Sequence, residues 1–340
     1  MIYDDILGPL LFHLSPDACH ELSLKVFERR LPFKMLGRAL RYDDDRLHTR
    51  LLGVTLASPI GLSAGYDKDA VALGAMEDLG FGFVVFGSVL GRAYPGNRWP
   101  RMVRKTNQGG LVNAMGLNSA GVEAVVHRLR RARVKMPLIG SVAGYTVEEY
   151  TKVISLLNPF VEILEINTSS PTFKGSWNER LDRLEGLLAK VKTVGSRPML
   201  VKVPPYDGKE DHDAVLEIIQ LCWREGFGVT ASNTRMVKER GTSVGYGGLS
   251  GLPLNCSTKR MVKDVSVELR KKGPLVACGG IFTGRDVFEL IGCGADACEV
   301  FTSFVYRGPL AARKIKTELA EEMSRKGFRS IEDLKGALVR

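Results

Sequence analysis

Histidine is scarce in this chain, and none of the five (His13, His20, His48, His127, His212) stands at the end of an apolar strand pattern. That placement argues against a histidine-based triad and against a histidine metal site. The six cysteines (Cys19, Cys222, Cys256, Cys278, Cys293, Cys298) contain no C-x-x-C pair, so zinc and iron–sulfur sites lack their ligands. Reduced core thiols in a cytoplasmic setting are the expectation. No block of five like charges occurs although the net charge is +10. The basic residues are spread over the whole length, which speaks against nucleic acid as a partner. A long hydrophobic run is also missing. The amino-terminal stretch carries Asp4 and Asp5, and its apolar run, 7–14, fits neither a signal peptide nor a membrane span.

What is present is a chain of 340 residues, 44% hydrophobic and 25% charged, long enough for one barrel-sized domain with an appendage or for two ordinary domains. Across 22–41, apolar Leu22, Val26, Phe27, Leu31, Phe33, Leu36 and Leu40 alternate with Lys25, Arg29, Arg30, Lys34, Arg38 and Arg41. This is a basic amphipathic segment broken at Pro32. It suits a membrane surface or a partner, or equally a helix pair packed on its own domain.

From Leu51 onward short apolar strands alternate with longer amphipathic stretches, the pattern of repeated βα units. Strands are expected over 59–62, 83–86, 137–141, 160–166, 199–203, 228–232, 275–278 and 297–301. Helices are expected over 68–79, 119–131, 147–157, 179–194, 213–225, 257–271 and 285–291. Eight units favour a closed (β/α)₈ TIM barrel, an α/β fold, over an open doubly wound sheet. Gly292-Cys293-Gly294 imitates a dinucleotide motif, but it follows a helix and precedes a strand, the reverse of a Rossmann turn.

Polar residues gather where the strands stop. Glu165-Ile166-Asn167-Thr168-Ser169-Ser170-Pro171 closes the fourth strand with a carboxamide and hydroxyls ahead of a proline. Taken alone, such a string is equally an Asx or serine turn satisfying its own backbone. The first strand is followed by Ser63-Ala64-Gly65-Tyr66-Asp67-Lys68, the second by Gly87-Ser88, and the sixth by Ser232-Asn233-Thr234. Lys202 lies within the apolar fifth strand, where burial demands an anionic partner. The insert after the second strand adds Asn113 and Asn118. Together these make a site for a flat ring bearing carbonyl and NH groups. Gly279-Gly280 and Phe301-Thr302-Ser303 follow the last two strands, where this barrel usually cradles phosphate on bare backbone NH groups; a simple tight turn is the other reading of the glycines. Phosphate beside a ring-recognising site suggests flavin mononucleotide, FMN.

The chain resembles the class 2, quinone-dependent dihydroorotate dehydrogenase family over nearly its whole length. The resemblance is carried by Gly61 to Asp69, Pro95-Gly96-Asn97, Asn113, Met115-Gly116, Asn167 to Pro171, Gly247 to Gly251, Gly279-Gly280-Ile281 and Tyr306-Arg307-Gly308-Pro309. Ser170, in place of a cysteine, and the helical amino terminus set it nearer class 2 than the soluble class 1. The resemblance implies a helical segment 1–46 facing membrane and quinone, and an FMN-binding barrel 47–340. It implies oxidation of dihydroorotate to orotate in pyrimidine biosynthesis, with quinone as acceptor, by a cytoplasmic protein peripherally associated with the membrane. A flavin oxidoreductase acting on another cyclic amide is the alternative, and a flavin-binding protein without turnover is a third.

Carried over by position, Ser170 is the catalytic base. Ala64, Gly65, Lys68, Ser88, Asn167, Lys202, Ser232, Gly251, Gly280, Phe301 and Thr302 are expected around the cofactor. Lys68, Asn113, Asn167, Thr172, Asn233 and Thr234 are expected around the substrate, with Arg104 lining quinone access. A glycine-rich stretch, 235–251, looks like a lid. The chain departs from the family pattern at Thr172, where S-S-P-N-T has asparagine, at Val142, where an asparagine usually contacts the flavin, at Leu117, which replaces an aromatic, and at Arg235, where a second threonine is common. Either the pocket is rebuilt around the same substrate, or the ring is a relative of dihydroorotate.

Overall fold

The structure, a computed structural model, describes residues 3–170, 181–206 and 208–339. Eight parallel strands close a barrel in the order β10-β13-β14-β3-β4-β7-β8-β9. In chain order the strands are β1 Thr49–Leu51, β2 Val54–Leu56, β3 Ile60–Leu62, β4 Phe83–Val89, β5 Met102–Lys105, β6 Gly110–Asn113 and β7 Leu138–Val142. There follow β8 Ile163–Asn167, β9 Met199–Val203, β10 Gly228–Ala231, β11 Arg235–Lys238, β12 Tyr246–Gly251, β13 Leu275–Cys278 and β14 Ala297–Val300. The eight barrel strands are those expected from the apolar runs. The strand expected from 160 starts later, because Asn158–Phe160 forms a 3₁₀ turn.

Strand alternation sorts the barrel into two layers. Phe83, Val85, Ile139, Ile163, Leu200, Val276 and Ala297 form one apolar cluster with Leu51 and Leu56 of the β1–β2 hairpin. This hairpin plugs the amino-terminal end of the barrel. Two residues further along the same strands, and therefore on the same inner face, stand Ser141, Glu165, Lys202, Cys278 and Glu299. The opposite parity packs outward: Val84, Phe86, Leu138, Val142, Leu164 and Ile166 join the larger cluster under the helices. Val142 is thus a core residue, and Ser141 is the position of β7 that looks into the barrel. Gly61 has no room for a side chain, since a Cβ there would stand 2.3 Å from the Phe83 ring.

Two features were not expected. The insert after β4 forms the β5–β6 hairpin, and the glycine-rich stretch forms β11 and β12; the four join as one antiparallel sheet, β11-β12-β6-β5. The supposed lid is therefore hydrogen-bonded along β6. The helix expected from 68 starts only at Leu73, because Asp67 accepts the Val71 and Ala72 amides at 2.9 and 2.8 Å and holds 68–72 as a loop.

The amino terminus is helical: α1 Gly8–Phe12, α2 Pro16–Glu28 and α3 Leu31–Leu40, with Pro32 in the first turn of α3. One side packs on the barrel through buried Phe27 and half-buried Leu24, Phe33 and Leu40. Arg30 fixes that side by pairing with Glu77 at 2.5 Å and Asp78 at 2.7 Å. The other side leaves Leu10, Leu14, Leu22, Val26, Leu31, Met35 and Leu36 exposed. No described helix is long and apolar enough to cross a membrane.

Candidate functional site

A cavity opens at the carboxyl ends of the barrel strands, roofed by Met102 of β5, Leu111 and Asn113 of β6, and Ser250 and Gly251 of β12. The structure brings to it the sequence-predicted Ala64, Gly65, Lys68, Ser88, Asn167, Ser170, Lys202 and Ser232. It also brings Asn233, Thr234, Gly280, Phe301 and Thr302. Thr172 lies outside the described residues. Arg104 stands apart from the cavity: its Nη1 donates to the carbonyls of Phe12 and Leu14 at 3.3 and 2.7 Å, and its guanidinium lies over the Phe12 ring. It ties β5 to the amino-terminal helices. Leu117 lines the cavity, and Arg235 reaches Ser257 at 3.2 Å.

One wall is a chain of carboxamides and hydroxyls. Asn167 Nδ2 donates to Ser88 Oγ at 2.8 Å, and Ser88 exchanges a 2.9 Å bond with Ser141. Asn167 Oδ1 accepts from Asn233 Nδ2 at 3.2 Å, and the same amide reaches Ser169 Oγ at 3.2 Å. The Asn233 carbonyl in turn accepts the Thr234 backbone amide at 2.8 Å. Behind this wall Ser169 donates to the Lys202 carbonyl and Tyr150 to the Asn167 carbonyl, both at 2.7 Å. The Asn167 to Ser170 run therefore anchors outward through Thr168, Ser169 and backbone, leaving the Asn167 and Ser170 side chains to the cavity. On the roof, Asn113 donates to the Gly248 carbonyl at 3.2 Å.

Two lysines face this wall in different electrostatic settings. Lys202 finds the anionic partners its burial requires, Glu299 at 3.0 Å and Glu165 at 3.5 Å, and both carboxylates are buried. Burial opposes its charge, but Cys278, Glu165 and Glu299 around it more than reverse that and raise its pKa well above the ordinary value. Lys68 has no hydrogen bond or ion pair among the described residues. Burial pushes its ammonium down to about 8, with Asp69 resisting and Arg101 adding to the fall. A buried cation that no carboxylate contacts directly suits an anion in the cavity.

The side of the cavity formed by the loops after β13 and β14 is glycine-lined. Gly279 and Gly280 have positive φ, and a Cβ at Gly280 would stand 2.2 Å from the Asn255 amide nitrogen. Thr302 shares a 2.9 Å bond with Ser250, and a Cβ at Gly251 would press on Gly109 and Thr302. Only glycine lets these loops converge.

Sequence reasoning missed three contributors. His20, thought remote from every strand end, reaches the cavity because α2 docks on the loop after β3; its Nε2 bonds the Tyr66 carbonyl at 2.8 Å. Burial lowers its pKa. Such a long-range docking has no local signature. Glu299, also on the cavity wall, and Glu165 beneath it were legible in principle. Each is an acid inside an otherwise apolar strand, on the parity of the inner face.

Comparison with known proteins agrees with this geometry. The family model described as dihydroorotate dehydrogenase matches residues 46–323. A relative from Gloeobacter violaceus named dihydroorotate dehydrogenase (quinone) is 34% identical, with 96% of this chain and 97% of the relative covered. One of the same name from Thermus thermophilus is 35% identical over 96% of this chain and 99% of its own. Among solved structures, the Eimeria tenella enzyme in complex with ferulenol superposes with a TM-score of 0.84 at 26% identity, covering 96% of each chain. With the barrel and nearly the full length shared, this chain belongs to the dihydroorotate dehydrogenase family.

Proposed function

We propose that this protein is an FMN-dependent dihydroorotate dehydrogenase that passes electrons to a quinone and serves pyrimidine biosynthesis. The observation that carries the reading is the pairing, in one cavity, of the Asn167–Asn233–Ser88 wall with a buried lysine, Lys68, that makes no ion pair among the described residues. Dihydroorotate is a ring of amides bearing a carboxylate. The wall offers donors and acceptors to the amides and Lys68 offers a counter-charge to the carboxylate.

The residues present fit FMN. Bare backbone at Gly251, Gly279 and Gly280, beside the Thr302 hydroxyl, suits a phosphate. Lys202, supported from below by Glu299, suits the electron-rich edge of the ring system. When bound, FMN supplies the two-electron acceptor.

The chain's own groups do the rest. Asn113, Asn167, Asn233 and Thr234 orient the substrate ring. Ser170 takes the proton from the carbon alpha to a ring carbonyl. A serine hydroxyl is a weak base in water, so it needs the dry site that the β11-β12-β6-β5 roof provides. Residues 1–46 form the quinone- and membrane-facing segment. Its exposed leucines lie at a bilayer surface as a peripheral attachment, and Arg104 braces it against β5.

The test is anaerobic mixing of the purified protein with dihydroorotate. Bleaching of a bound flavin that is released as FMN on denaturation is expected. A yellow protein whose absorbance dihydroorotate leaves unchanged would refute the substrate, and a flavin without phosphate would refute the cofactor.

A further inference from the structure

Lys202 is held by two carboxylates where one would balance it. Glu299 Oε2 accepts from Lys202 Nζ at 3.0 Å and from Ser63 Oγ at 3.0 Å. Glu165 lies 3.5 Å from the same ammonium, and its oxygens accept no hydrogen bond of normal geometry among the described residues. Both acids are buried on the inner face of the barrel. The other groups around them are the Ser141 and Thr230 hydroxyls and the Cys278 thiol, which burial pushes up to about 12 and so keeps neutral. With both acids ionised, the layer would hold an unbalanced negative charge in a dry interior. Like charges sharing one site keep a proton between them.

We propose that Glu165 and Glu299 act as a one-proton carboxylate pair that neutralises Lys202 beneath the cofactor cradle, and thereby set the reduction potential of the flavin held there. The proton resides on Glu165, because Glu299 accepts directly from the Lys202 ammonium and the Ser63 hydroxyl, whereas Glu165 stands farther from the ammonium and has only the Ser141 and Thr230 hydroxyls beside it. Burial, with Glu299 adding to it and Lys202 opposing, pushes the Glu165 carboxyl up to about 7. Below neutrality the layer is balanced. Above it, Glu165 ionises and disfavours further negative charge in the cradle. Both acids are positioning residues acting through Lys202.

The inference rests on the FMN reading above, and its test separates the two. Potentiometric titration of the FMN-loaded full chain, on both sides of neutral pH, is compared with Glu165→Gln and with the double variant Glu165→Gln/Glu299→Gln. At the acid end of the titration, where Lys202 keeps its proton, the double variant leaves it unbalanced, so the reduced-to-oxidised ratio at a fixed potential rises at least tenfold, about 30 mV for a two-electron couple. Glu165→Gln alone matches the wild type below neutrality and lacks its downward step above. A double variant with the wild-type potential, or a Glu165→Gln protein that keeps the step, overturns the proposal. Infrared spectra of wild-type protein labelled with ¹³C-glutamate provide a measurement that needs neither flavin nor variant. An isotope-shifted carboxylic-acid C=O band is expected near neutral pH, and its absence overturns the proposal. A protein that shows the band yet takes up no FMN refutes the cofactor reading alone.

Discussion

Asn167 and Asn233 come from the ends of β8 and β10, two strands apart in the barrel, and are joined side chain to side chain at 3.2 Å. Each carboxamide is thereby fixed in orientation, with the Asn167 amino group committed to Ser88 and its carbonyl to Asn233. Replacing Asn167 by Ala releases both neighbours and removes the carboxamide proposed to orient the substrate. A lost hydrogen bond that leaves buried partners unmet costs about 1 to 3 kcal/mol. Orotate affinity, followed by the flavin absorbance shift, should fall about tenfold to a hundredfold, while the protein stays folded and yellow. Unchanged orotate affinity would remove Asn167 from the substrate wall.

Ser170 follows two residues whose hydroxyls are both turned to the Lys202 carbonyl. The division of labour predicts different phenotypes within one tripeptide. Ser170→Ala should keep FMN and orotate binding but lose flavin reduction by about a hundredfold or more, the usual contribution of a positioned base. Ser169→Ala, which loosens the anchor, should lower stability by about 1 kcal/mol with a smaller rate effect. Stopped-flow reduction and thermal melts distinguish the two, and equal reduction rates for Ser170→Ala and wild type would refute the base assignment.

The barrel was readable because a parallel strand covered on both faces is a short apolar run, and eight such runs appear in sequence. β9 and β13 agree with expectation at both ends because Pro198 and Pro274 precede them and Pro204 and Gly279 follow. What the strands carry inside was less visible. Val142 attracted notice by its place in a motif, yet alternation turns it outward and Ser141 inward. The β6–β12 pairing and the docking of His20 depend on contacts between segments far apart in the chain, which local patterns do not encode.

Lys68 supplies a pH dependence of definite sign. Its ammonium titrates at about 8 in the free site, chiefly through burial, against an ordinary value of 10.5. An anionic ligand binds the charged form, so orotate affinity should hold up to about pH 8 and then fall by about tenfold per pH unit. The stability of the ligand-free protein moves the other way. Between about 8 and 10.5 the unfolded chain binds the proton that the folded chain has released, so this lysine's contribution to stability rises with pH. Lys68→Met should abolish both trends. Orotate titrations and denaturant melts across this window check them, and an orotate affinity independent of pH above 8 would place the counter-charge elsewhere.

The amino-terminal helices offer a test that truncation cannot give. Removing them would also remove Phe27 from the core and His20 from the cavity wall. Large-to-small loss of a buried phenylalanine alone costs about 3 to 5 kcal/mol. The exposed face can be changed without that damage. Leu10, Leu14, Met35 and Leu36 are between 46% and 80% exposed, and nothing in the barrel depends on their apolarity. Changing all four to serine removes side chains that would each contribute about 1.5 to 3 kcal/mol when buried in a bilayer surface. Flotation with anionic lipid vesicles should show at least a hundredfold weaker binding. Turnover with a bilayer-borne quinone should fall in parallel, while reduction of the flavin by dihydroorotate proceeds at the wild-type rate. If vesicle binding and quinone turnover both survive the fourfold change, the apolar face is a surface without a membrane role.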